Sequence, residues 1–150
     1  MENEKIIHKL NELVEINNDR IEGYERASKE SEDSDLVELF KNMAAHSRDF
    51  KSELSKEILQ LGGKPTEGTK NSGKIFRIWM DVKVALTVKD RHAVISSCEF
   101  GEDAALETYE EVLKSDNHFS PALKELVMKQ QSLLRQDHDE IKRLRELVKS

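Results

Sequence analysis

The chain is poor in the residues that punctuate or staple a fold. Of its 150 residues, one is cysteine, two are proline and six are glycine. A lone Cys98 cannot form an internal disulfide, so a reducing, cytoplasmic compartment is expected. So little Pro and Gly argues against a turn-rich sheet protein and suits long helices. No apolar run is long enough to span a membrane, and the opening Met-Glu-Asn-Glu-Lys contains no apolar signal region. Positive charge is also in deficit, with 24 Lys and Arg against 30 Asp and Glu and a net charge of −6. Phosphate binding needs a basic face, so nucleic acid is not an expected partner. The cluster Lys142, Arg143, Arg145 and Lys149 instead suits the negative end of a last helix.

Charged and apolar residues are abundant and nearly balanced, at 36% and 37%, as amphipathic helices require. The length suits a single domain, 1–150, with a sizeable core. Ile6, Leu10, Leu13, Asn17, Ile21 and Tyr24 recur at helical spacing and predict a first helix over about 3–29. Asp35 followed by Glu38 reads as a capping box opening a second helix. That helix carries Leu36, Phe40, Met43, Ser47, Phe50, Leu54 and Ile58 inward and stops at Gly62-Gly63, with Pro65 beyond. Residues 62–73 hold four of the six glycines and read as a loop. Ile75, Phe76, Ile78, Trp79, Val82 and Leu86 then predict a crossover helix of about fifteen residues, expected to cover an open end. A homodimer contact near Trp79 is the alternative use for that segment. Asp90 and Ser120-Pro121 are start signals for two more long helices. The first of these reads Val94, Cys98, Glu102, Ala105 and Tyr109 inward, and the second Leu123, Val127, Gln130, Leu134, Asp137, Ile141 and Val148. Short connections make two antiparallel hairpins. Joined by one long crossover, they form an all-α, ferritin-like four-helix bundle.

Any chemistry must sit among the inward polar residues. Asn17 and Tyr24 are seven residues apart on one stripe, and Glu102 and Tyr109 repeat that spacing on another. A pseudo-two-fold would bring both pairs to the bundle centre, in a buried polar cluster of Asn17, Tyr24, Ser47, Cys98, Tyr109 and Gln130 around Glu102, Asp137 and His138. Antiparallel pairing sets Glu102 opposite Leu133 and Leu134. A ferritin-like di-iron site takes one Glu from each of two helices and Glu-x-x-His from each of the other two. Glu102 suits the single-Glu role, but Asn17 stands where the first-helix Glu belongs, and Ser47 and Phe50 occupy the second-helix positions. The di-iron set is therefore degenerate. A reduced metal site of Glu102, Asp137 and His138 is chemically adequate for one iron, manganese or zinc ion. The bland alternative is a satisfied polar cluster.

The stretches NELVEINNDRIEGYERA (11–27), GTKNSGKIFRIWMDVKVALT (68–87), DRHAVISSCEFGEDAALETY (90–109) and QSLLRQDHDEIKRL (131–144) resemble an uncharacterised bacterial family of single-domain, ferritin-like bundles. That resemblance implies the bundle and the extra crossover segment, and it brings no established activity, substrate or partner. Gly101-Glu102 is similar to the helix-three Gly-Glu of rubrerythrin-type proteins, and Asn17 to Tyr24 resembles their helix-one Glu and downstream Tyr. Two functions follow as expectations: a non-enzymatic bundle that has lost its metals, or a metal-binding or redox protein using the reduced site.

Overall fold

Helical periodicity becomes five helices in the computed structural model, which describes residues 2–70, 72–115 and 118–147. They are α1 (Glu2–Glu30), α2 (Ser34–Gln60), α3 (Gly73–Thr87), α4 (Arg91–Lys114) and α5 (Pro121–Leu147), and no strand occurs among the described residues. Val148 and Lys149, read above into the last helix, lie outside the described residues.

Local chemistry sets several helix ends. Asp90 accepts from Ala93 N–H and Ser120 from Leu123 N–H, satisfying free donors at the starts of α4 and α5. Gly62 adopts φ +86°, a left-handed conformation that glycine takes without a Cβ penalty, and Gly63 N–H returns to Ile58 C=O. The capping box expected at Asp35 and Glu38 is not formed. The N-cap of α2 is Asp33, and Asp35 lies in the first turn. Asp35 has a stronger partner there. Arg91 donates to both its oxygens, at 3.1 and 2.5 Å, and to Asp33 at 3.0 Å. A bidentate guanidinium contact outweighs a single backbone N–H. It also pins the α1–α2 turn to the start of α4.

Contacts between helices give their directions. Lys9 bonds Ser115, Asn17 bonds Tyr109 and Arg20 bonds Glu102, so α1 and α4 run antiparallel. Gln130 reaches Phe50 and Glu53 while His46 meets Asp137, so α2 and α5 are antiparallel too. Residues 61–70, and then α3, return the chain from one end of this assembly to the other. Contrary to the expectation that it covers an open end, the crossover helix does not close one. It lies along the side, packed on α4 and α1. Trp79 explains the seat. Its ring fills the space over Gly23, where a Cβ would come within 2.5 Å of ring atoms, and lies 3.3 Å from a Cβ built on Gly101. It also meets Tyr24 edge-on at 5.1 Å.

The loop is tied down by side chains of α1. Asn11 accepts from Thr66 N–H, Asn18 donates to Gly68 C=O, and Asp19 accepts from Lys70 N–H at 3.1 Å. Burial pushes the Asp19 carboxyl up from 3.8 to about 6, against the Lys70 hydrogen bond. Its proton is thus held more tightly in the folded chain than in the unfolded one. That contribution to stability is complete below about 3.8 and is lost as pH rises through about 6. Asp19→Asn should therefore flatten the fall in stability between those values relative to the parent. Urea titrations at pH 4, 5, 6 and 7 would check it, and parallel pH profiles would refute it.

Buried apolar residues form two clusters. One gathers Leu10, Leu13, Phe50, Leu54, Tyr109, Val127 and Leu134; the other gathers Tyr24, Leu36, Phe40, Met43, Val94, Cys98 and Ile141. A polar layer lies between them, and every candidate residue inside the core belongs to it or borders it.

Candidate functional site

The layer is organised by a residue absent from the sequence-based candidates. Leu13, Asn17, Arg20, Tyr24 and Ala27 fall on one heptad-spaced stripe of α1, so Arg20 points inward and is only 1% exposed. Its Nε and Nη2 donate to the two oxygens of Glu102, at 2.9 and 2.7 Å, a bidentate fork across to α4. Nη2 also lies 3.3 Å from Asp137 Oδ2 on α5, and Nη1 donates to Ser47 Oγ on α2 at 2.6 Å. All three guanidinium nitrogens thus find oxygen on the three other long helices. The Tyr24 ring lies beneath the guanidinium, 5.4 Å from ring centre to Cζ. Burial alone would lower the Arg20 pKa, but the charge of Glu102, with Tyr24, the Glu102 hydrogen bond and Asp137, raises it above its ordinary value. Arg20 is a permanent cation.

The rest of the cluster hangs from this centre. Tyr24 donates to Glu102 Oε2 at 2.8 Å. Ser47 donates to Asn17 Oδ1 at 2.9 Å, and Asn17 Nδ2 donates to Tyr109 OH at 2.9 Å. Tyr109 donates to Gln130 Oε1 at 2.7 Å, and Gln130 Nε2 ends the chain on Phe50 C=O and Glu53. The two equally spaced pairs meet crosswise: the tyrosine of each bonds the polar residue of the other. Both phenols are held above their usual pKa, chiefly by burial, so they stay protonated donors at neutral pH. Cys98 is buried beside them, its thiol pushed up by burial and then by Glu102, and is a packing residue with little thiolate.

Glu102 and Asp137 are brought together, joined through Arg20. His138 is not. Successive helical residues point about 100° apart, so Asp137 and His138 cannot both face one core site. His138 is turned to the flank of α4, where Nε2 is 2.7 Å from Asp103 and 3.9 Å from Glu99. The pairing of α4 with α5 is therefore shifted by about one turn from the register that set Glu102 against Leu134. The imidazole that does reach the layer is that of His46, half-exposed, with Nδ1 2.9 Å from both oxygens of Asp137. Arg145 of the basic C-terminal cluster faces Glu99 at 2.5 Å.

The oxygens of Glu102 and Asp137 already face Arg20, Tyr24 and His46, and a divalent ion among them would lie against a fixed positive charge. Among the described residues no group of three or more His, Cys, Asp or Glu side chains is placed to hold a metal ion. What the cluster can do is satisfy and orient itself. It links all four long helices through charge-assisted bonds.

No curated protein matches the chain. A family model described as a domain of unknown function, DUF2383, matches residues 5–115. The matched span takes in α1 to α4 almost whole, with Asn17, Arg20, Tyr24, Ser47, Glu102 and Tyr109, and stops before Gln130 and Asp137 of α5. The chain belongs to the DUF2383 family.

Proposed function

We propose that this chain is a ferritin-like bundle protein with a degenerate di-iron site, a non-enzymatic, structural bundle that works without a metal centre. Two antiparallel hairpins, a single long crossover and an inward polar layer at mid-length support the ferritin-like reading. The observation that carries the functional part is Arg20. A di-iron bundle places two cations between carboxylates from four helices. Here one guanidinium stands between Glu102 and Asp137 and supplies the positive charge itself. Its charge needs no loading and cannot change oxidation state. A reducing, cytoplasmic setting suits the single buried thiol of Cys98. No helix among the described residues is long and apolar enough to cross a membrane.

The test is metal content of protein purified without added metal or an affinity tag, followed by anaerobic titration with ferrous iron and then oxygen. Less than about 0.1 metal per chain and no oxo-bridged absorbance band are expected, because the ligand set falls short of the carboxylates and histidines such a centre needs. Two irons per chain with that band would overturn the reading. So would one tightly held ion that is lost in His138→Ala, which would point instead to the reduced site of Glu102, Asp137 and His138.

A further inference from the structure

A cleft of about 400 Å³ opens between α1 and the first half of α3, away from the polar layer. Its walls are Ile75, Phe76, Trp79 and Met80, Gly23 lies at its base, and Asp19 is its half-buried acid. Phe76 is 69% exposed and Met80 38%, although the same helix already supplies Ile75, Val82 and Ala85 to the core. A short helix that is apolar on two sides has only one side covered. The volume lies within the range of small-molecule sites, and the lining has their usual composition, apolar walls with a few polar groups. Glu22 and Arg26 stand at the exposed rim, and Asp19 is the half-buried charge of the lining. One of its oxygens accepts from Lys70 N–H, and the other has no hydrogen-bond partner among the described residues.

We propose that this cleft binds an organic cation with an apolar body, an alkylated or quaternary ammonium group set against Asp19 and the rings of Phe76 and Trp79. Aromatic rings attract such cations through their electron-rich faces, and a carboxylate short of solvent gains most from a cation that brings its own apolar cover. The burial that lifts Asp19 to about 6, with Glu22 and Glu15 adding to it and Lys70 opposing, marks it as such a carboxylate.

The experiment is titration of the full chain with benzyltrimethylammonium at pH 7.5, with benzyl alcohol and phenylacetate as neutral and anionic counterparts. Trp79, the only tryptophan, reports from the cleft wall by fluorescence. Saturable binding of the cation, at least about tenfold tighter than either counterpart, is expected. Asp19→Asn and Phe76→Ala should each weaken it about tenfold, while Phe100→Ala, at an exposed position on α4, should leave it unchanged. Phe76 is exposed, so its variant keeps the test open should Asp19→Asn fail to fold. Equal affinity for benzyl alcohol, no saturation by the cation, or unchanged binding in Phe76→Ala would overturn the proposal.

Discussion

Replacing Arg20 with Met is expected to cost about 3–5 kcal/mol of stability, because it removes one partner of a buried ion pair and leaves the other uncompensated. Met has similar length, so packing against Tyr24 and Met43 is largely kept and the loss is mostly electrostatic. For a chain of this size the shift in melting temperature is roughly 10 °C. Adding Glu102→Gln to Arg20→Met should recover at least about 1 kcal/mol, since the stranded carboxylate is gone and Tyr24 can still donate to the amide oxygen. Arg48→Ala is the internal control. Arg48 pairs with Glu25 at the surface, both about half exposed, and its loss should cost no more than about 1 kcal/mol. Denaturant titrations of the parent and these three variants decide the matter. If Arg20→Met behaves like Arg48→Ala, the buried-network description is wrong.

A layer like this is not the cheapest way to fill a core. Well-packed apolar side chains often match or exceed a buried ion pair in stability. What the layer adds is selection of one register. Sliding α4 by one turn along α1 would take Glu102 from Arg20 and leave its carboxylate buried without a guanidinium, whereas an all-leucine layer would tolerate the slip. The same logic explains why the layer spans four helices. Arg20 on α1 needs Ser47 of α2, Glu102 of α4 and Asp137 of α5 at once, so only one mutual arrangement satisfies it.

The parts of this architecture that are legible from sequence are those written in local chemistry. Asp90, Ser120 and Gly62 act on backbone groups within a few residues, so their roles can be read from neighbours alone. The apolar stripes report which face of each long helix is inward, and they place Glu102, Asp137, Asn17 and both tyrosines in the core. Arg20 escapes such a reading because its partners lie 27 to 117 residues away and a charged side chain is ordinarily assigned to solvent. Its signal is nonetheless present in its position on the stripe between Asn17 and Tyr24. His138 fails for a geometric reason, since a residue next to an inward one on a helix points elsewhere. The seat of α3 is illegible because that helix is apolar on two faces, and periodicity cannot say which face meets the bundle.

Trp79→Ala is expected to cost about 3 kcal/mol or more, the usual range for deleting a large aromatic side chain from packed surroundings. The more telling experiment couples it to Gly23. Gly23 lies inside α1, where glycine is worth about 1 kcal/mol less than alanine on helix propensity alone. Yet a methyl group there would come within 2.5 to 2.7 Å of three ring atoms of Trp79, which belong to a rigid indole and cannot bend away. Gly23→Ala should therefore destabilise the parent by about 1–3 kcal/mol, the cost of overpacking. In the Trp79→Ala background the clash is gone and only the propensity gain remains, so the same substitution should stabilise by up to about 1 kcal/mol. The change of sign is the result to look for, read by thermal or urea denaturation of the four proteins. Additive effects would mean that Trp79 does not rest on Gly23 and that α3 is seated elsewhere.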